Sequence, residues 1–171
     1  MKKLYTMLLL VISLCTASCS DWLDVSPSNQ VNGDKLFEIG DGYRNALNGI
    51  YLNLGTSSMY GQTMSWGFMD AIAQYYKTDN GSNFIPKTSA YYKSAKFQFE
   101  DSDVKTFISN IWSVSYNNIA NCNNLILNVS EASPSVFKEG EFEKNMIWGE
   151  ALALRAFMHF DLLRLFAPAI S

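Results

Sequence analysis

Between Val104 and Val129 apolar side chains return at the helical period. Ile108, Ile111, Trp112, Ser115, Ile119, Cys122 and Ile126 fall on one stripe, with Trp112, Tyr116, Ile119 and Asn123 on the stripe beside it. The spacing predicts one long helix with a broad buried face. A second pattern runs from about Glu141 to Phe166 and stops before Pro168, which cannot continue a helix. Ile147, Ala151, Leu154, Met158, Leu162 and Leu165 make one face of it, while Trp148, Leu152, Phe157, Phe160 and Phe166 extend apolar character most of the way round. A helix of that kind belongs inside a larger protein, and Ala151, Ala153 and Ala156 are small enough to let another helix approach closely. No further helix follows in the sequence to cover that surface, so the chain is expected to be the front part of a longer all-α protein.

Upstream, Tyr43, Leu47, Ile50, Tyr51 and Leu54 share one helical face, with Asp41 placed to cap it. Met59 to Tyr76 is a second candidate helix: Trp66, Met69, Ala73 and Tyr76 form a stripe that Gly67 weakens. The period then breaks. An Asn80-Gly81 turn signal, Pro86 and a short alternation around Lys96 to Glu100 predict a long irregular loop from Lys77 to Asp103 with a brief strand in it. A loop this long in a compact domain is usually functional or disordered, and Tyr91, Tyr92, Phe97 and Phe99 argue against disorder. A connection around Pro134 joins the two long helices.

The amino terminus has a different pattern. Lys2 and Lys3 precede an apolar run from Leu4 to Leu14, the length of a signal core and too short to span a bilayer, which takes about 20 apolar residues. Thr16, Ala17 and Ser18 stand directly before Cys19, an arrangement that resembles a bacterial lipobox with Thr16 where Leu is usual. That resemblance implies cleavage before Cys19 and lipidation of its sulfur. The alternative is a plain secretory signal with an incidental cysteine. Residues 1–18 are thus read as a lipoprotein signal peptide, 19–34 as a polar tether carrying Pro27 and Gly33, and 35–171 as the helical domain. Removal of Lys2 and Lys3 takes the net charge from −3 to −5. With Cys15 in the signal and Cys19 lipidated, Cys122 has no disulfide partner and reads as a small buried hydrophobe.

Composition narrows the function. With 48% hydrophobic and 17% charged residues the chain is globular, and its acidic balance argues against nucleic acid, which needs clustered Lys and Arg. Aromatic residues make up 14%, which suits either a dense helical core or a surface for flat hydroxylated ligands. Tyr75, Tyr76, Asp79, Asn80, Asn83, Tyr91 and Tyr92 offer rings, amides and carboxylates together in the irregular stretch, as a sugar requires; tyrosines capping a helical core with wet hydroxyls explain them equally well. No catalytic set is nominated. His159 and Asp161 point to different sides of a helix, and the lone histidine has no metal-ligand spacing, so neither metal nor cofactor is expected.

Several stretches carry a family resemblance. The lipobox followed by "DWLDVSP", then "ALNGIYLNL", "IWSVSYNNIANCNNLI" and above all "GEALALRAFMHFDLLRLFA" resemble the amino-terminal portion of the RagB/SusD family of outer-membrane nutrient-binding lipoproteins. The resemblance implies an all-α fold of tetratricopeptide-like helix pairs with a long irregular region. Trp112, Tyr116, Asn124, Glu150, Arg155, Asp161 and Arg164 are then scaffold positions. It also implies a non-catalytic protein, anchored by Cys19 to the outer membrane, that captures oligosaccharide and passes it to a SusC-type TonB-dependent transporter. A helical-repeat adaptor whose ligand is another protein is the competing reading.

Overall fold

A computed structural model describes residues 33–78 and 85–168. The signal peptide, Cys19 and most of the tether lie outside the described residues, as do Asp79, Asn80 and Asn83. The chain divides at Leu36 into two units. The described part of the first is one helical turn, α1 (Gly33–Leu36). The second contains α2 (Gly40–Leu54), α3 (Phe68–Ile72), α4 (Ala90–Ala95), α5 (Ser102–Glu131), a 3-10 turn (Pro134–Val136) and α6 (Gly140–Phe166). No strand occurs among the described residues, so the fold is all-α.

The two long helices form the frame. The α5 helix starts where the Asp101 carboxylate accepts the Asp103 N–H at 3.0 Å, a side-chain cap for an otherwise unpaired donor. A short connection then reverses the chain. Contacts run Trp112 with Phe166, Tyr116 with His159, Asn123 with Arg155 and Ser130 with Lys144, so α5 and α6 are antiparallel. The α2 helix lies against both. Asn53 donates to Asn118 of α5 at 3.0 Å, and Tyr51 donates to Glu150 of α6 at 2.8 Å. Ile50, Ile111, Leu125, Ile147 and Met158 are fully buried where the three helices meet. Each contributes about 1.5–3 kcal/mol by leaving water.

One end of this frame is fastened by charge. Glu143 near the start of α6 is only 2% exposed, pairs with Arg44 of α2 and accepts the Glu139 N–H at 3.1 Å. That backbone bond, and then Arg44, hold the Glu143 carboxyl below its ordinary range. Arg44 also bonds Asp41 at 2.5 Å, and Lys138 reaches Asp41 at 3.0 Å. Asp41 is therefore an ion-pair partner in the first turn and not the expected cap, a position held by Ile39 without a side-chain bond.

Two sequence expectations need correction. Met59 to Tyr76 is not one helix: glycines and close backbone turns break it into a coil from 55 to 67 followed by the short α3. The stretch expected to be loop with a strand contains α4, and Lys96 to Glu100 is a turn in which Phe97 takes φ +56. Alternation over so few residues does not make a strand without a partner to pair with.

The all-round apolar character of α6 is real. Its inward face is buried, while Phe142, Phe157, Phe160 and Leu163 stand exposed on the other side. Two outcomes follow. Glu143→Gln lowers the melting temperature at pH 7; because the depressed Glu143 pKa gives stability that is present above about pH 4.3 and lost as pH falls through the folded value, the variant also shows a flatter loss of stability between pH 5 and 3, read by thermal melts. Phe142→Lys with Phe160→Lys reduces self-association, measured by light scattering, with little change in the melting temperature.

Candidate functional site

The coil from 55 to 67 is compact because its backbone closes on itself. Tyr60 N–H bonds Leu54 O at 3.0 Å, Met64 N–H bonds Met59 O at 2.9 Å, and Gly67 N–H bonds Gln62 O at 2.8 Å. Met59 and Met64 are buried and anchor it. Glycine is required at Gly61, where a Cβ would meet Gly55 O at 2.4 Å. At Gly67 the same atom would meet Gln62 O at 2.9 Å. The consequence is that Trp66 projects outward, 57% exposed.

Two tyrosines arrive beside it by different routes. After α3, Gln74 adopts φ +62 and its side-chain amide donates to Ala95 O at 2.7 Å, turning the chain back. The Tyr76 hydroxyl then donates to the Trp66 carbonyl and lies 3.2 Å from the Asp70 carboxylate. Desolvation, and then Asp70, raise its pKa and keep it protonated. Tyr91 comes from α4, whose Ser89 cap accepts the Tyr91 N–H. Its ring stacks on Phe107 of α5 at 5.3 Å, and its hydroxyl accepts from the Gln62 amide at 2.8 Å.

Trp66, Gly67, Tyr76, Ile85 and Tyr91 enclose a hollow of about 300 Å³. Its walls are apolar, and the hydroxyls of Tyr76 and Tyr91 are each engaged by a protein partner. The Tyr91 oxygen accepts a hydrogen bond from the Gln62 amide, and the Tyr76 hydroxyl donates one to the Trp66 carbonyl. Such a site suits a flat ring with C–H faces and hydroxyl edges.

Of the ligand candidates named from sequence, the structure brings Tyr76 and Tyr91 together. Tyr75 is 78% exposed and stands outside the lining, and Tyr92 lies under the Lys96 ammonium, 5.6 Å from its ring centre. Trp66 was missed as a site residue. The only signal was Gly67 beside it, which marks a broken helix and so an indole free to face outward.

Of the scaffold positions, Trp112, Tyr116, Glu150 and Arg155 join helices, while Asn124 bonds within its own helix. Trp112 meets Phe166 edge-on at 5.0 Å, and Tyr116 meets His159 at 6.5 Å, around a shallower aromatic groove between α5 and α6. Glu150 accepts from Tyr51, Arg155 donates to Asn123 at 2.9 Å, and Asn124 accepts from Asn128 at 3.0 Å. Cys122 is buried in the core, where desolvation pushes its thiol up to about 11 and leaves it protonated.

Asp161 has the further role. It is 3% exposed, accepts from Arg164 at 2.5 Å and takes the Tyr60 hydroxyl proton's hydrogen bond from the coil that carries Trp66. Burial, and then Asp161, push the Tyr60 pKa well above its ordinary value. Tyr60→Phe therefore costs about 1–2 kcal/mol in urea unfolding and speeds amide exchange across residues 57–67 more than in α5, as mass spectrometry reads it.

Among the described residues no three His, Cys, Asp or Glu side chains gather to hold a metal ion. No curated protein and no solved structure matches the chain. Residues 21–171 match the family described as SusD-like, starch-binding associating with outer membrane. That match covers most of the sequence and agrees with the all-helical frame and the motif of α6: the chain belongs to the SusD-like family.

Proposed function

We propose that this protein is a non-catalytic glycan-binding subunit, anchored by lipid on Cys19 at the cell surface, that captures oligosaccharide and delivers it to a SusC-type TonB-dependent outer-membrane transporter. The observation that carries the reading is the SusD-like match over 21–171, with its description as starch-binding and associating with the outer membrane. The hollow beside Trp66 supports it, because aromatic faces are what the C–H face of a sugar ring needs. The antiparallel α5–α6 pair is read as the first tetratricopeptide-like repeat, the scaffold that turns toward the transporter.

Residues 1–18 serve as the signal, and residues 19–34 as the tether between lipid and domain. Several acyl chains hold far better than one, at about 0.8 kcal/mol per buried methylene, so the anchor keeps a capture protein beside its transporter. The exposed outer face of α6 is the observation that favours the second reading, a protein-binding adaptor.

Three measurements test the proposal. Labelled fatty acid enters the wild-type protein and not Cys19→Ala; label retained by the variant contradicts the anchor. A pull-down from outer membranes recovers a TonB-dependent transporter. On a glycan array the full chain retains oligosaccharide, whereas an array without signal together with a recovered protein partner favours the adaptor.

A further inference from the structure

We propose that a second copy of this chain docks on the outer face of α6, antiparallel, about a twofold axis near Ala153. Phe142, Met146, Phe160 and Leu163 stand on that face between 44% and 75% exposed. Gly149, Ala153 and Ala156 lie between them, also exposed, and at 3.6 residues per turn all seven fall in one sector about 100° wide. From Phe142 to Leu163 the sector holds no charged residue. Glycine weakens a helix interior, and a Cβ at Gly149 would meet nothing within 4 Å, so the fold itself gives no reason for it. A second backbone approaching from outside does.

The order of residues on the face selects the partner, because it reads nearly alike from both ends. Counted outward from the midpoint of Leu152 and Ala153, Gly149 mirrors Ala156 and Phe142 mirrors Leu163, while Met146 falls within one residue of the mirror of Phe160. An antiparallel twofold contact has that requirement, since each residue of one copy meets the mirrored residue of the other. Small side chains at the crossing let the two backbones come close, and the large ones fill the space where the axes diverge.

Charge sets the direction. Glu139 and Glu141 stand exposed at the start of α6 and make no ion pair among the described residues. The neighbouring cations are taken up elsewhere, Lys138 by Asp41 and Lys144 by the Ser130 and Ala132 carbonyls. At the other end Arg164 bonds Asp161 through Nε and remains 43% exposed. Antiparallel pairing sets the acidic end of one helix by the basic end of the other and opposes the two helix dipoles, whereas parallel pairing sets acid beside acid. The pairing needs nothing from the Trp66 hollow, which is lined from the coil, the segment after α3, and α4.

The experiment uses the full chain carrying Cys19→Ala, so that no lipid gathers the copies. Analytical ultracentrifugation finds a dimer at about 0.1 mM, and Ala153→Leu, with its melting temperature as the folding control, raises the dissociation constant about tenfold or more. With a short bis-maleimide, a tagged Phe142→Cys chain links to an untagged Leu163→Cys chain above the parent's background, and Phe142→Cys does not link to itself. Linkage of Phe142→Cys to itself overturns the antiparallel arrangement. A dimer that Ala153→Leu leaves intact overturns the face. A monomer at that concentration overturns the second copy as occupant, whether or not the chain then binds phospholipid vesicles.

Discussion

A buried carboxylate on α6 holds the irregular part of this protein to the regular part. Asp161 has lost its water, and the Tyr60 hydroxyl and the Arg164 guanidinium replace it. Leaving a buried charge without partners costs about 3–5 kcal/mol, so the pairing fixes where Tyr60 sits. Ser65 in turn donates to the Tyr60 carbonyl at 2.9 Å, and Trp66 follows directly. The indole thus stands on a chain of contacts that begins inside the helical frame. The coil has no ladder of its own to supply that order.

Glu143 repeats the arrangement at the opposite end of α6, where it ties the start of the helix to Arg44 of α2. Both ends of the helix are pinned by a buried acid, and the apolar stripe between them is filled by Ile147, Ala151 and Met158. Rigidity follows from this combination: burial sets the strength of the frame, while the two carboxylates set its register against α2 and the coil. A hollow lined from the coil, the segment after α3, and α4 keeps its shape only because all three return to that frame.

The long elements were legible in sequence because their patterns are long. Twenty or more residues of period 3.6 place α5 and α6 within two residues of their ends, and the local Asp161–Arg164 pair follows from spacing of three. The coil was not legible. Trp66, Met69, Ala73 and Tyr76 do repeat at helical intervals, yet the close approaches at Gly61 and Gly67 prevail over that repeat, and nothing local announces which carbonyl a glycine will meet. Tyr76 and Tyr91 are nominated by type and location, but their neighbour Trp66 is not, because periodicity says which residues share a face and not whether that face is covered. Long-range bonds such as Tyr60 to Asp161, 101 positions apart, leave no mark on local pattern at all.

The most direct measurement is a crystal structure of the full chain with the glucose or galactose hexamer that binds it best. The account predicts one sugar ring with its C–H face about 4 Å from the Trp66 indole and its hydroxyls within hydrogen-bond distance of Tyr76 and Tyr91. A hexamer seated elsewhere, with the hollow closed by the protein's own side chains, would contradict it.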